Sequence, residues 1–133
     1  MHDYIQDAID AGGLQMTTEP LAEDRYRCIV VGQSGEMVRE LRMKPGYGAP
    51  TLGQFLYYYA TRVQAVEDTD DFLEWADDYG HDPADPKALS AYRDYVADID
   101  DLKRILGVEG YDNLLTGLAI DQAITRARGS FGA

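Results

Sequence analysis

Side-chain polarity alternates most clearly between residues 26 and 43. The segment from Tyr26 to Val31 is rich in aromatic and β-branched residues, which favour strands, and Gln33-Ser34-Gly35 offers a turn. In the next segment one face carries Met37, Arg39, Leu41 and Met43, and the other carries Val38, Glu40 and Arg42. The pattern predicts a β-hairpin. Because a hairpin alone is marginal in water, it must pack on helices or pair with another strand.

Beyond residue 50 the apolar residues recur with the 3, 4, 7 spacing of a helix. Thr51 is the candidate N-cap of the first such helix. Its predicted buried face carries Leu52, Phe55, Leu56, Tyr59, Val63 and Val66. A second helix begins near Thr69 or Asp70 and ends before Gly80, a residue type that suits a helix C-terminus. Its apolar side carries Phe72, Trp75, Ala76 and Tyr79.

The third helix has the strongest start signal, because Asp85 is a good N-cap and Pro86 suits the first helical position. Gly107 ends this helix. The residues predicted to be buried along it are Leu89, Tyr92, Val96, Ile99, Leu102 and Leu106. A last helix is predicted from about Tyr111 to Arg128. Its apolar residues are Leu114, Leu115, Leu118 and Ile124.

The N-terminal residues give weaker signals. Residues 3–11 favour a short helix that Gly12 and Gly13 end. Residues 14–24 contain Pro20 among mixed polar side chains and are predicted to form a loop.

The length of 133 residues and a hydrophobic content of 45% are enough for one core and suggest a single domain. The predicted fold class is α+β, a small single domain in which an N-terminal β-hairpin packs on three to four α-helices. Its parts are an N-terminal helix and loop at 1–24, the hairpin at 25–44, a helical part at 51–128 and a frayed tail at 129–133.

The acidic residues are concentrated in one part of the chain. The formal net charge is −12, from 24 acidic and 12 basic side chains. This charge argues against direct nucleic-acid binding, which needs clustered Lys and Arg, and against binding to an anionic membrane surface. Residues 67–101 hold 13 acids and 2 bases, whereas the rest of the chain is almost balanced. The excess charge therefore belongs to the second helix and most of the third.

Helical spacing arranges these acids in stripes. Asp77 and Asp78 approach the C-terminal end of their helix, where negative charge is unfavourable. A sequence that keeps acids at a destabilising position indicates that the negative charge has a function. The candidate protein-binding residues of this acidic surface are Asp70, Asp71, Glu74, Asp77, Asp78, Asp94, Asp98 and Asp101.

The simpler interpretation is a solvated acidic face. Aspartate outnumbers glutamate by 17 to 7 and arginine outnumbers lysine by 9 to 3. This bias fits a GC-rich coding background or a high-salt cytoplasm, either of which would explain part of the charge without a binding role.

The aromatic residues divide between core and surface. Trp75 lies on the apolar side of its helix and is predicted to be core. Three tyrosines in a row cannot all be buried on one helix. Tyr59 belongs to the core stripe, so Tyr57 or Tyr58 must lie near the surface, where an exposed tyrosine is a good contact residue.

No catalytic or cofactor-binding motif emerges from the sequence. Cys28 is the single cysteine, which excludes an internal disulfide and a Cys-x-x-Cys motif. Gly46-Tyr47-Gly48 lacks the rest of any phosphate-binding fingerprint. The N-terminus shows no signal peptide and no stretch is long enough to span a bilayer. We therefore expect a cytoplasmic protein that is no enzyme and has no metal or other cofactor.

A string of residues in the helical part carries a family resemblance. These residues are Pro50-Thr51, Phe72-x-x-Trp75, Asp78-Tyr79-Gly80-His81-Asp82, Asp85-x-Lys87-Ala88, Tyr92 and Leu102-x-x-x-Leu106-Gly107. Together with the hairpin, the chain from about residue 25 to 107 resembles a family of small proteins encoded by phages, prophages and plasmids. It departs from the family at Ala76, where Cys is common, and at Pro83 and Pro86. The resemblance implies a mobile-element accessory protein and supplies no catalytic residue.

Such accessory genes often encode inhibitors of host defence. We therefore expect a non-enzymatic protein that binds a host or viral protein with a basic surface through the acidic helices, in the style of an anti-CRISPR or anti-restriction protein that imitates DNA. The alternative is a phage structural or assembly protein whose acidity serves only solubility or salt adaptation. Self-association as a homodimer stays open in both cases.

Overall fold

The chain folds into a three-stranded antiparallel sheet and four helices in a computed structural model that describes residues 3–132, with side chains up to residue 128. The elements in chain order are α1 (Tyr4–Gly12), β1 (Gln15–Ala22), β2 (Arg25–Gly32), β3 (Gly35–Arg42), α2 (Leu52–Glu67), α3 (Phe72–Asp78) and α4 (Pro86–Gly132). The α+β class predicted from the sequence is confirmed. The sheet has one strand more than the predicted hairpin.

The predicted hairpin is formed by β2 and β3. The strands pair antiparallel from Arg25 opposite Arg42 to Gly32 opposite Gly35, so that the turn consists of two residues. The alternation of β3 is as predicted, because Met37 and Leu41 are buried while Val38 is exposed. One face of the sheet therefore packs against the helices.

The predicted loop at residues 14–24 is wrong, because most of it forms β1. This strand pairs with β2 on the side opposite to β3 and is therefore an edge strand. Pro20 lies opposite Tyr26, and a shift in register follows before Ala22. Proline has no N–H to donate, which an edge strand tolerates because one side of it needs no partner. Pro20 was therefore compatible with a strand at this position.

Helix α2 begins as the sequence predicts. Thr51 accepts a hydrogen bond from the Gln54 backbone N–H at 3.1 Å, and the Gln54 side chain accepts one from the Thr51 N–H at 2.9 Å. This reciprocal pair is a capping box and satisfies two backbone donors. The predicted buried residues Phe55, Leu56, Tyr59, Val63 and Val66 all lie in the core.

Helix α3 is short and has capped ends. Asp71 accepts a hydrogen bond from the Glu74 backbone N–H at 2.9 Å. At the other end Gly80 has a φ of 75°, and the His81 N–H reaches back to the Ala76 carbonyl at 2.8 Å, a Schellman-type end. Tyr79 was predicted to lie on the buried side but is 47% exposed. The helix ends at Asp78, so Tyr79 leaves the buried helical stripe.

Helix α4 joins the two predicted C-terminal helices. Gly107 interrupts it with φ 77° and ψ 161°. The first helix therefore ends where the sequence predicts, but the second resumes at once and needs no loop before Tyr111. The helix continues to Gly132 where a frayed tail was predicted, and residue 133 lies outside the described residues.

The buried stripe of α4 is displaced from the predicted one. It passes through Asp98, Ile99, Leu102 and Ile105, at the spacing of one helix face. Val96 was predicted to be buried and is exposed, because it lies at the margin of this stripe. Ile124, predicted on the apolar face of the last helix, is also exposed.

Helix α1 lies tightly against the last part of α4. A Cβ atom added to Gly117 would come within 2.4 Å of the Tyr4 Cβ atom. The end of β2 also packs closely on α4, just before the interruption at Gly107, since a Cβ on Gly32 would lie 2.6 Å from the Ile105 carbonyl oxygen. Glycine at these two positions allows α1 and the sheet to approach the same helix.

Replacing Gly117 with alanine should destabilise the fold by about 1–3 kcal/mol, because the new methyl group overlaps Tyr4. The matched control is Gly53→Ala in α2, where the methyl group would approach Ile5 no closer than 3.6 Å. That variant should be neutral or up to about 1 kcal/mol more stable, since alanine favours a helix. Urea denaturation measures both. Equal stabilities for the two variants would contradict the close packing of α1 on α4.

Candidate functional site

The predicted acidic residues of the second helix form one exposed group on and beside α3. We call Asp70, Asp71, Glu74, Asp77 and Asp78 the α3 carboxylates, and all five are exposed. Asp71 and Glu74 also hold the start of the helix, since Glu74 accepts a hydrogen bond from the Asp70 N–H at 3.1 Å. Within the described part of the chain, none of the five forms an ion pair. Their charge is therefore available to solvent or to a partner.

The predicted stripe on the third helix is largely taken up by internal ion pairs, which is a correction. Asp98 is only 4% exposed. Arg39 donates to it from Nε at 2.9 Å and also pairs with Asp101, which Arg104 contacts at 2.9 Å. Of the three predicted acids, only Asp94 is exposed. Asp98 and Asp101 therefore hold α4 to β3, and their charges are balanced within the protein instead of extending the exposed acidic stripe.

The sequence carried a signal for this network. Arg39 shares a strand face with Met37 and Leu41, which are buried. A guanidinium on such a face needs charged or hydrogen-bonding partners. The partner could not be identified from local spacing, because Asp98 lies 59 residues further along the chain.

The environment of Asp98 opposes its ionisation. Burial raises the pKa of this carboxyl group, Arg39 lowers it, and the nearby charges of Asp101 and Asp94 raise it again, with a net upward direction. The paired Arg39 is therefore what keeps a buried carboxylate tolerable in the folded protein.

A cleft of about 480 Å³ opens beside this ion-pair network, between α2, β3 and α4. We call it the tyrosine cleft, lined by Arg39, Tyr58, Tyr59, Asp94, Tyr95 and Asp98, with two alanines of α4. Tyr59 is 5% exposed, and no described residue is a hydrogen-bond partner of its hydroxyl. Burial, followed by the charge of Asp98, raises the pKa of Tyr59, so its hydroxyl stays protonated at neutral pH.

The outward face of α2 is also rich in tyrosine. Tyr57 is 50% and Tyr58 38% exposed, whereas Tyr59 is core, as the sequence predicts. The Arg62 guanidinium lies 3.3 Å from the centre of the Tyr58 ring, a cation–π arrangement. Further clefts of about 280 and 450 Å³ flank the same helix face, and Tyr57 and Thr61 line both of them.

Tyr79 connects α2 with the α3 carboxylates. It follows Asp78 directly and lines clefts of about 450 and 230 Å³ together with Thr61 and Ala65 of α2. Tyr95 lines the smaller of these clefts and also the tyrosine cleft. Neither tyrosine was predicted to be a contact residue, because Tyr79 was assigned to the buried side of α3 and Tyr95 belongs to no motif.

His81 has a packing role. Its ring stacks on Trp75 with a centroid distance of 4.4 Å and an angle of 8° between planes. Phe72, Tyr92 and Tyr95 surround the same indole. The core position predicted for Trp75 is confirmed by its burial. The aromatic cluster anchors α3 and its loop, and through them the α3 carboxylates.

The remaining chemistry of the described residues is limited. Cys28 is fully buried and burial raises the pKa of its thiol, which disfavours the reactive thiolate. Among residues 3–128, no three His, Cys, Asp or Glu side chains come together in an arrangement that could hold a metal ion. No helix in the described range is both long and apolar enough to cross a bilayer.

Comparison of the chain with protein-family models, curated proteins and solved structures finds no match. The resemblance to the phage, prophage and plasmid family therefore stays a prediction.

Replacing Arg39 with methionine should destabilise the fold by about 3 kcal/mol at neutral pH, because it leaves Asp98 buried without its cation. The loss should shrink as the pH falls toward 4. Without Arg39 the pKa of Asp98 rises further above its unfolded value, so the protonated group favours folding at low pH and that contribution disappears as the pH rises. Urea denaturation across this pH range measures the effect.

The matched control is Arg25→Met on the neighbouring strand. Arg25 pairs with Glu40 at 3.6 Å, and both side chains are exposed. Such a pair contributes at most about 1 kcal/mol. If the two variants lost equal stability, or if the loss at Arg39 did not change with pH, Arg39 would not be the group that stabilises the buried Asp98 carboxylate.

Proposed function

We propose that this chain is a non-enzymatic binding protein that docks on a basic surface of another protein through the α3 carboxylates. One observation carries the proposal. Five exposed carboxylates lie together without an ion pair in the described part of the chain, beside a helix face rich in tyrosine.

Electrostatics support this assignment. Asp77 and Asp78 lie in the last turn of α3, where no basic residue offsets them. Negative charge at this end opposes the helix dipole, so these two residues cost stability where they stand. A concentrated field of one sign increases the association rate with an oppositely charged partner.

The aromatic residues beside the carboxylates support a protein partner in particular. Tyrosine and arginine are enriched among the interface residues that contribute most of the binding free energy. Tyr57, Tyr58, Arg62 and Tyr79 are found on or next to the outward face of α2. The carboxylates would attract a basic partner, and the neighbouring tyrosines would provide the contact area.

The biological setting belongs to the same proposal. The resemblance to small phage, prophage and plasmid proteins supports an inhibitor of a host protein, acting in the host cytoplasm. A nucleic-acid-handling defence complex, as for anti-CRISPR and anti-restriction proteins, has the basic groove that rows of carboxylates would fit. The surface would then occupy a site built for phosphates.

A phage structural or assembly role is the second candidate. It is favoured by the internal use of several acids, since Asp98 and Asp101 bind Arg39 while Asp71 and Glu74 cap α3. On this view the remaining charge gives solubility, and the contacts of the protein are made by its tyrosines.

The double variant Asp77→Asn, Asp78→Asn tests the first proposal, because neither residue is needed to start the helix. A partner captured from host cells should bind the variant about tenfold more weakly at low salt, with a smaller dependence of affinity on salt concentration. Titration calorimetry at two salt concentrations measures both effects. The helix itself should be at least as stable as before.

The control is Glu23→Gln, Glu36→Gln, which removes the same charge from the β1–β2 turn and from the start of β3, where both residues are exposed. It should leave affinity almost unchanged. If the α3 variant bound as tightly as the unmodified protein at every salt concentration, the acidic docking surface would be wrong and the assembly role would be favoured.

A further inference from the structure

The tyrosine cleft has unused hydrogen-bond acceptors next to a buried charge. Arg39 approaches Asp98 through two of its nitrogens, and both contact the same oxygen, Oδ1, at 2.9 Å. No described residue donates a hydrogen bond to Oδ2 of Asp98 or to the Tyr59 hydroxyl. Both side chains are more than nine-tenths buried and line the cleft.

The net charge of the cleft favours a cation. Arg39 and Arg104 balance Asp98 and Asp101, which they contact directly. Asp94 lines the same cleft, is exposed and forms no ion pair within the described residues. One negative charge therefore remains, together with the acceptor atoms on Asp98 and Tyr59.

The walls of the cleft suit a flat cation. Tyr58 and Tyr95 line it, and the contact of Arg62 with Tyr58 shows how a guanidinium lies against such a ring in this protein. A guanidinium stacks on aromatic faces and donates in a planar fork to carboxylates, whereas an ammonium acts as a point charge. The volume of about 480 Å³ is in the range of sites for small groups.

We propose that the tyrosine cleft binds one arginine side chain of the protein partner, with Asp94, the free Asp98 oxygen and the Tyr59 hydroxyl as acceptors and the tyrosine rings as walls. This inference rests on the proposed function, in which the partner is basic. It adds a specific anchor residue to a surface otherwise defined by charge.

Hexa-arginine and hexa-lysine peptides are the probes, and binding is followed by titration calorimetry and by backbone amide shifts in nuclear magnetic resonance. Hexa-arginine should shift the amides of Tyr58, Asp94 and Tyr95 and bind several-fold more tightly than hexa-lysine. Asp94→Asn should weaken hexa-arginine binding about fivefold or more. Tyr95→Leu should reduce the preference for arginine over lysine.

Asp100→Asn is the matched control, since Asp100 is an exposed aspartate on the same helix that does not line the cleft. It should retain wild-type affinity within about twofold. Urea denaturation should give Asp94→Asn and Asp100→Asn the same stability, which excludes misfolding as the cause. Equal weakening by both variants would overturn the site, because the effect would then come only from the general negative charge of the surface. Equal affinity for hexa-arginine and hexa-lysine would overturn it as well.

The outcomes separate this inference from the proposed function. If Asp77→Asn, Asp78→Asn weakens binding to the partner while Asp94→Asn does not alter binding of either the partner or hexa-arginine, the cleft is wrong and the acidic surface stands. If Asp94→Asn weakens hexa-arginine binding while the α3 variant leaves the partner's affinity unchanged, the cleft stands and the α3 docking surface is wrong.

Discussion

Arg39 extends from the inner face of β3 to α4 and is bound there by Asp98 and Asp101. A guanidinium on an otherwise apolar strand face is tolerable only when its charge and donors are satisfied. The pairing fixes the rotation of α4 against the sheet. Ile99 and Leu102 consequently face the core, and Asp94 is left on the wall of the tyrosine cleft. The geometry of the tyrosine cleft thus follows from the ion pairs of Arg39.

The α3 carboxylates depend on a different kind of support. A helix of seven residues has little stability of its own, and its acids repel one another. Trp75 compensates by burying its ring between Phe72, Tyr92 and Tyr95, while His81 stacks on the remaining face. The α3 carboxylates are therefore held in place by an aromatic cluster that anchors the same short helix.

Elements with a local cause could be predicted from the sequence. The hairpin follows from side-chain alternation and a short turn, α2 from the Thr51 capping signal, and the end of the third helix from Gly107. β1 was missed because Pro20 usually breaks a strand, and only its position at the sheet edge removes the objection. Likewise, no local pattern showed that a new helix begins immediately after Gly107.

For the candidate site, the sequence determined where negative charge is concentrated, that Trp75 is core and that Tyr57 or Tyr58 must face outward. Those conclusions depend on composition and helical spacing, which are local. Only the tertiary structure decided that Asp98 and Asp101 are bound by Arg39, while the α3 carboxylates and Asp94 remain exposed. The physical reason is that a charge has the same helical spacing whether it meets water or a cation from a strand 59 residues away.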